Sequence, residues 1–524
     1  MIAIKMLAFS LWVVVLGAII CSGGEKMEQQ PLRFWYRYLP STYDTYEADG
    51  ATLMPIAKNI YAPLVSTFVV GKPQGMIAKD WKVDSTGRIW QFTIRPGLTF
   101  DDGTPITPEA VLANFKRMLW LTRNEGLLLN SLLPEVKTWK KYSDPLQSLY
   151  VEGNVLVFKM NRRPINLFET IEQAIYGIAN PKCFDGDGKW IDPKCFSGSG
   201  QYRVKDLSTA KMVLESRHIF PEVVGAPDVV EVNVSGAKDP TAIQTLMENK
   251  GDMTIRYSYE LNAGILKEMT SKGLTTVNEP LVRMHFLQLN ASHGAFKSRS
   301  LRQSFRDVFL SSLSKDRGFS AETELDPSFM PKGSAGYVPF NVPQVTNISR
   351  FSEKEVTVVL TVLSKTAYSR SFNIYTAAEN SIFEAIKAHK LKTKVIRCSA
   401  EEWFERKAKG DFDIVFGGSG LLINNPYADL RMMFMSKIGS NIPDPSGKIP
   451  GMIEAAENSE NPSRRQEILK KINSSIYTEA SVINFMHSGK VYVHRNGVDL
   501  SKINLFSDPV EFRAVSWSPT AGKR

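Results

Sequence analysis

Apolar and polar residues alternate along several short segments of the chain, a period typical of strands with one buried face. Within residues 89–94 (IWQFTI), Trp90, Phe92 and Ile94 share one face and alternate with polar neighbours. A strand at residues 81–83 precedes this segment across a short turn that ends in glycine. Residues 151–160 have the same character around a central Gly-Asn pair. The pattern therefore predicts two hairpins early in the chain.

A helical period begins at Thr107. The hydroxyl of Thr107 can cap the free amides of a first turn, Pro108 suits the first helical position, and Glu109 favours the positive end of the helix dipole. Apolar residues follow at Val111 and Phe115, at the spacing of one helix face. The segment predicts a helix beginning at residue 108.

Helices and strands alternate along the rest of the chain. Strands are predicted at residues 33–38, 201–204, 251–255, 283–290, 411–416 and 481–485, and helices at residues 46–61, 242–250, 298–311 and 462–479, with a capping box at 399–402. Such alternation is typical of α/β lobes.

The first residues predict an export signal. Lys5 is followed by an apolar stretch at residues 6–20, which is shorter than the roughly 20 residues of a membrane-spanning helix. The stretch ends at Cys21, before a short polar segment. This pattern favours a lipidated Cys21 over ordinary cleavage near Gly23 or an uncleaved anchor, although Ile20 departs from the small residue usual before such a cysteine.

Composition adds few constraints. The chain has 524 residues with 43% hydrophobic and 23% charged residues, which are ordinary values for a globular protein of about three structural units. The formal net charge is +10, but the basic doublets are scattered among acidic residues. Because no basic run is interleaved with aromatic residues, we do not expect nucleic-acid binding.

Two of the four cysteines, Cys183 and Cys195, flank a turn-rich loop. In an oxidising compartment we expect them to form a disulfide worth about 2–3 kcal/mol, which leaves Cys398 free and buried. The Asp185-Gly-Asp187-Gly sequence in this loop resembles a calcium loop, but Lys189 stands at the third ligand position. We interpret this sequence as a turn.

The motifs of several enzyme classes are missing. The six histidines include no His-Glu-x-x-His, and the chain has neither a Cys-x-x-Cys nor a phosphate-binding glycine loop. Gly417-Gly-Ser419-Gly420 approaches a nucleophile elbow, but Leu421 replaces its last glycine. A carboxylate pair distant in sequence stays open as an alternative. We expect a binding protein with no catalytic residues, no cofactor and no metal.

The run from Ile77 to Phe115 closely resembles the signature of one family, the peptide/nickel class (family 5) of extracytoplasmic solute-binding proteins of ABC importers. The matching residues of the signature are Ile77–Trp81, Gly87, Trp90–Phe92, Ile94–Gly97, Phe100–Val111 and Phe115. Other landmarks of the family appear along the chain in the family's order, at Tyr61–Leu64, Gly198–Tyr202, Gly251-Asp252, Leu289-Asn290, Arg302–Phe305 and Asn425-Pro426. The resemblance implies a type II periplasmic-binding-protein fold, an α/β fold of two lobes joined by a hinge, with an extra subdomain in lobe I.

The same resemblance suggests boundaries for these parts. They are a signal at 1–20, a tether at 21–30, lobe I at 31–65, 176–285 and 489–524, the extra subdomain at 66–175, and lobe II at 286–488. The two crossings between the lobes are expected near residues 285–290 and 485–491.

The resemblance also implies a ligand cleft between the lobes. Its candidate residues are Tyr43 and Asp44 on the first loop of lobe I, Asn290 at the hinge, and Phe416, Ser419, Leu422, Asn424 and Tyr427 in lobe II. Peptide binders of this family carry an aspartate four residues before the proline that corresponds to Pro426, and it pairs with the peptide's amino group. Leu422 stands there, unless the loop is shifted and Asp413 or Asp429 substitutes. His285 is a candidate for binding a metal chelate, although packing is the commoner role of a lone histidine.

The expected function is capture of a peptide-like solute by hinge closure and delivery to an ABC permease and its ATPase. We expect a monomer at the periplasmic side or cell surface, held at the membrane only by a lipid anchor. The alternatives are a receptor of the same fold that signals to a membrane sensor, and a binder of a non-peptide ligand such as a metal chelate, an opine or an oligosaccharide. The absence of a permease gene beside the gene of this protein would favour the receptor.

Overall fold

The computed structural model describes residues 30–36, 39–47, 53–69, 72–234, 241–261, 263–316, 324–345, 348, 354–361, 374–420, 426–436, 442–505 and 510–517. The strands are β1 Leu32–Tyr36, β2 Val65–Val69, β3 Lys72–Gly75, β4 Ala78–Val83, β5 Ile89–Ile94, β6 Leu149–Glu152, β7 Val155–Lys159, β8 Tyr202–Leu207, β9 Lys211–Ser216, β10 Val229–Val234, β11 Met253–Tyr257, β12 Leu274–Asn278, β13 Arg283–Leu289, β14 Glu355–Thr361, β15 Lys392–Cys398, β16 Ile414–Gly420, β17 Val482–Ser488, β18 Lys490–Arg495, β19 Val498–Asp499 and β20 Ser516–Trp517.

The α-helices are α1 Met54–Ile60, α2 Pro108–Leu121, α3 Leu128–Leu132, α4 Leu167–Ile171, α5 Thr241–Met247, α6 Ala263–Ser271, α7 Arg299–Leu313, α8 Ile374–Ala388, α9 Ala400–Lys409, α10 Pro426–Phe434, α11 Ile449–Glu457 and α12 Pro462–Glu479. Short 3-10 turns lie at Pro134–Thr138, Ala174–Tyr176, Pro181–Cys183, Ser258–Glu260, Ala295–Lys297 and Phe512–Ala514. Thr107 caps α2 by accepting a hydrogen bond from the Ala110 amide at 3.2 Å, as its sequence predicts.

Lobe I is built on a seven-stranded sheet in the order β12-β18-β11-β1-β10-β9-β8. Its central strands β10, β1 and β11 are parallel to one another. One face buries a cluster that includes Phe34, Val232 and Tyr492, and the other face is covered by α5 and α6 through Leu246 and Met269. A parallel core covered on both faces is the usual arrangement of such sheets.

The extra subdomain contains the four-stranded antiparallel sheet β4-β5-β7-β6 packed against α2 and α3. Both predicted hairpins lie here, and Gly87 and Gly153 close their turns at φ +70° and +61°. The subdomain shares one continuous apolar core with Leu64 and Phe220 of lobe I. It is therefore an outgrowth of lobe I rather than an independent unit.

Lobe II is built on the five-stranded sheet β15-β14-β16-β13-β17. Alternate residues of β13 enter different cores: Leu287 and Leu289 face α7 and α8, while Met284 and Phe286 face α10 to α12. An alternating pattern predicts one buried and one polar face for β13. Both faces of β13 are buried, because helices cover each side of the sheet.

Two segments differ from the sequence-based expectation. The helix expected at residues 46–61 begins only at Met54, where a proline stands in the first turn. The strand expected at residues 411–416 is β16, which runs through the glycine-rich segment to Gly420. Gly417 is required there, because a Cβ would lie 2.8 Å from ring atoms of Phe286 on the paired strand. Gly417 therefore serves close strand packing rather than a turn.

Candidate functional site

The carboxyl edges of the two sheets face each other across the hinge. In lobe I, β1, β10, β11 and β12 end at this edge, and in lobe II β14, β15, β16 and β17 do so. The chain passes between the sheets at residues 279–282 and again at Gly489. Ligands of open α/β sheets bind outside the carboxyl ends of the strands. The space between these two edges is therefore the candidate site.

The two passages are in contact and form one hinge. The Glu279 amide donates to the Lys490 carbonyl at 2.8 Å, and the Lys490 amide donates to the Glu279 carboxylate at 2.8 Å. The Ser258 amide donates to the Gly489 carbonyl at 2.9 Å. Gly489 has no room for a side chain, because a Cβ would lie 2.8 Å from the Pro280 carbonyl oxygen. The first passage lies a few residues before the expected position, since all of β13 belongs to the sheet of lobe II.

A hinge aromatic cluster, Tyr257, Tyr259, His285, Tyr375 and Phe416, joins the lobes beside these passages. Tyr257 and Tyr259, at the end of β11, stack with ring centroids 5.6 Å apart. Tyr259 meets His285 edge-on at 5.3 Å and Tyr375 at 6.1 Å, and Tyr375 meets Phe416 at 5.5 Å. Edge-to-face pairs of this kind stabilise packing beyond the area that they bury, so the cluster contributes to the contact between the lobes.

His285 is held at the centre of this cluster with both ring nitrogens occupied. Nδ1 lies 2.6 Å from the Tyr375 hydroxyl and Nε2 lies 2.7 Å from the Ser488 hydroxyl. Burial lowers the pKa of His285 to about 3, with a smaller contribution from the nearby positive charge of Arg283. The imidazole is therefore neutral and packed, which is the commoner of the two roles considered for it.

Tyr43 and Asp44 lie on the loop that follows β1, but both are buried. Asp44 is fully enclosed and its Oδ2 accepts from Arg117 Nη2 at 2.6 Å. The Tyr43 ring packs edge-on against Phe196 with centroids 5.4 Å apart, and its hydroxyl is buried without a hydrogen-bond partner. Burial raises the pKa of Tyr43. The carboxylate of Asp44 is thus committed to the fold, and the Tyr43 ring belongs to the core of lobe I.

Asn290 is not at the hinge. It follows the last residue of β13, and a strand of this length places it about 20 Å from the hinge end. Its side-chain amide donates to the carbonyls of Gly410 and Phe412 at 2.9 and 3.0 Å, and its oxygen accepts from Ser292. Asn290 therefore closes the opposite edge of the lobe II sheet.

The remaining candidates divide between the edge and the core. Phe416 and Ser419 lie on β16, with Ser419 next to the strand's last residue and half-buried. Tyr427 is 5% exposed and packs in the core formed by α10 to α12, so it does not face the edge. Leu422 and Asn424 lie outside the described residues, as do the other segments that follow edge strands at 37–38, 235–240 and 362–373.

Sequence reasoning missed Tyr257, Tyr259, Arg283 and Tyr375. Arg283 begins β13 at the edge, and its guanidinium lies 5.5 Å from the Tyr257 ring centroid. Each of the four residues lies at or next to the end of a strand or the start of a helix. The signal that could find them is therefore topological, because strand direction decides which end reaches the edge.

Cys183 and Cys195 form a disulfide with Cα atoms 5.6 Å apart. Within the described parts of the chain, no His, Cys, Asp and Glu side chains gather as a metal site. The described helices include none that is long and apolar enough to span a membrane. The first lysines, Cys21 and the apolar stretch before it lie outside the described residues.

Two α/β lobes joined by a double-passage hinge define a two-lobed periplasmic-binding-protein fold. The chain belongs to the bacterial extracellular solute-binding proteins, family 5, whose model matches residues 72–441. Members of this family bind small solutes and deliver them to ABC permeases.

Three relatives illustrate the range of likeness. The periplasmic murein peptide-binding protein MppA of Escherichia coli is 21% identical over 432 residues, or 76% of each chain. A solved structure of MppA superposes with a TM-score of 0.75 at 15% identity, covering 94% of this chain and 99% of that chain. NikA from Brucella suis in complex with Fe(III)-EDTA gives 0.72 at 16% identity, covering 93% and 100%. AgaA from A. tumefaciens R10 in complex with agropinic acid gives 0.73 at 15% identity, covering 93% and 99%.

Proposed function

We propose that this protein captures a peptide-like solute between its two lobes and delivers it to a membrane permease whose ATPase drives uptake. The observation that carries the proposal is the hinge geometry. Two sheets present their carboxyl edges to each other, and within the described part of the chain the backbone passes between them at residues 279–282 and Gly489. Such a connection permits closure by a rigid-body rotation about a few backbone positions. A solute bound between the edges favours the closed state in proportion to its extra contacts there.

The ligand class follows from one departure from the family pattern. Where peptide binders of this family place an aspartate for the α-amino group, this chain has Leu422 between Leu421 and Ile423. A buried ammonium group without a carboxylate partner is strongly unfavourable. Asp413, one possible substitute, is 7% exposed and accepts from the Thr357 amide at 2.8 Å near the far edge. Asp429, in the first turn of α10, stays open as the other substitute. Leu422 supports a cleft that suits a blocked or modified peptide better than a free linear peptide.

Calorimetry with matched ligands tests this assignment. Tripeptides with an acetylated amino terminus should bind more tightly than the same sequences with a free α-amine. Submicromolar binding of a free tripeptide would contradict the ligand class but leave the transport role intact. Native mass spectrometry of the protein purified from its own cells provides the independent measurement, since a retained solute shows its mass directly.

A non-peptide ligand is the second candidate. NikA and AgaA share the fold, and their structures contain Fe(III)-EDTA and agropinic acid rather than a peptide. Half-buried rings at the edge, including Tyr257 and Tyr375, fit a small organic solute as well as a peptide side chain. An opine or metal chelate retained in the mass spectrum, with no peptide binding by calorimetry, would favour this alternative.

We further propose that Cys21 is lipidated and tethers the protein outside the cytoplasmic membrane. The apolar stretch ending at this cysteine and the polar segment after it support the assignment. Growth with labelled palmitate should label the wild-type chain and not Cys21→Ser. A wild-type chain without label would favour cleavage near Gly23 or an uncleaved signal.

A further inference from the structure

The extra subdomain contacts lobe II at a second place, away from the hinge. Ile165, between β7 and α4, packs against the core formed by α10 to α12. The contact also involves residues 125–126, after α2, and residues 435–436, after α10. Because the subdomain shares its core with lobe I, these contacts join two bodies that separate when the hinge opens. The inference below therefore rests on the proposed hinge closure.

A buried carboxylate on lobe II forms the centre of this contact. Glu457 accepts from Arg431 Nε at 2.6 Å and Nη2 at 2.8 Å, a bidentate pair within lobe II. Arg162 of the subdomain adds a third bond, from Nη2 to Glu457 Oε2 at 2.9 Å. The Glu457 and Arg431 side chains are 0% and 3% exposed. Bidentate, charge-assisted bonds of this kind fix a carboxylate in one orientation.

Main-chain bonds extend the contact to one side. The Gly126 amide donates to the Met435 carbonyl at 3.0 Å, and the Gly126 carbonyl accepts from Arg431 Nη1 at 2.9 Å. The Ser436 hydroxyl donates to the Glu125 carboxylate at 2.8 Å. A Cβ on residue 126 would lie 2.7 Å from the Met435 carbonyl oxygen. Only glycine allows the two bodies to approach this closely.

We propose that Gly126, Arg162, Arg431 and Glu457 form a closed-state latch, which holds the lobes together in part of the population before solute binds. The Arg431–Glu457 pair belongs to lobe II alone and persists when the lobes part. In the open protein, Arg431 therefore keeps the Glu457 carboxylate oriented to accept again from Arg162. Arg162 Nη1 is buried without a hydrogen-bond partner in the closed state, which offsets part of the stabilisation. These features keep the latch reversible.

Hydrogen exchange at the amide of residue 126 tests the latch in the unliganded protein. This amide is protected by the Met435 carbonyl only when the lobes are closed. Gly126→Ala leaves each lobe intact but places a methyl group against Met435, so its exchange should be about tenfold faster than in the wild type. Arg162→Gln removes the hydrogen bond to Glu457 across the contact, together with one to Ser131 within the subdomain, and should accelerate exchange about fivefold. Gly186→Ala is the matched control, because a Cβ there meets no atom within 4 Å.

Equal exchange rates in the wild type and Gly126→Ala would overturn the latch. Small-angle X-ray scattering of the wild type and Gly126→Ala, with and without an N-acetylated tripeptide, separates this failure from a failure of hinge closure. Compaction of both proteins to the same radius of gyration, with equal exchange, would reject the latch and retain the proposed function. Thermal unfolding of Gly126→Ala at the wild-type temperature shows that the variant is folded.

Discussion

Asp44 and Arg117 form a buried ion pair where the first loop of lobe I meets the extra subdomain. Arg117 also donates to the Gly188 carbonyl at 2.7 Å, and its guanidinium lies 4.9 Å from the Trp190 ring centroid. Residue type and resemblance pointed to Asp44 as a cleft residue. Its partner lies on a distant helix, and that pairing depends on tertiary packing that the sequence pattern does not reveal.

Asp44→Asn should lower the free energy of unfolding by about 3–5 kcal/mol, because it leaves the Arg117 charge buried without a counter-charge. Urea unfolding measures the change. Glu215→Gln is the control, since it weakens exposed pairs with Arg203 and Lys205 and should cost under about 1 kcal/mol. Unchanged stability with weakened solute binding would instead restore Asp44 to the cleft.

His285 gives the protein a predictable response to acid. Its folded-state pKa of about 3 lies below the ordinary value of 6.5, so the unfolded chain binds the proton more readily between these values. Stability should therefore fall as the pH drops from about 6.5 towards 3, by up to about 1.4 kcal/mol per pH unit.

The variant His285→Gln should flatten this acid limb in urea unfolding measured across the pH range. Some slope remains, because burial also lowers the pKa of His389 and His494. The wild-type curve, measured in parallel under the same conditions, is the reference. An equally steep acid limb in His285→Gln would show that the imidazole is not buried as described.

At the scale of single elements, the disulfide loop supports the first loop of lobe I. The Pro193 carbonyl accepts from the Tyr43 amide at 2.8 Å, and Phe184 and Trp190 of the same loop flank Arg117. The Asp185 carboxylate accepts from the amides of residues 187 and 189, which lowers its pKa and makes this sequence a closed turn. The loop thus positions one border of the proposed cleft.

Removing the disulfide with Cys183→Ser and Cys195→Ser should lower stability by about 2–3 kcal/mol, because the unfolded chain regains the freedom of the open loop. Dithiothreitol should destabilise the wild type by a similar amount and leave the double variant unaffected. A wild type that unfolds identically with and without reductant would argue against the bond.

Elements with strong local signals were predictable from the sequence. The cap at Thr107 and the long α12, which spans Pro462–Glu479 as predicted, depend on neighbouring residues only. β16 was predicted to end before Gly417, because glycines usually mark a turn. Its continuation depends on Phe286 of β13, far away in sequence. Local pattern therefore identified elements, while their ends followed from packing.

At the scale of the whole molecule, the resemblance to the family predicted the two-lobed fold, which the comparisons confirm. The cleft was harder to predict, because its border is set by strand direction and by which sheet each strand joins. Asn290 illustrates this difference: its motif was recognised, yet the direction of β13 places it at the opposite edge. The hinge rings Tyr257 and Tyr375 carry no local signal of their own.

The central claim is that the lobes close around a solute that is released unchanged. Small-angle X-ray scattering of the purified protein across a panel of blocked peptides, free peptides, opines and metal chelates tests it most directly. The account predicts that at least one solute class lowers the radius of gyration and is recovered intact by mass spectrometry. A radius of gyration unchanged by every solute, or conversion of any solute to a new compound, would contradict it.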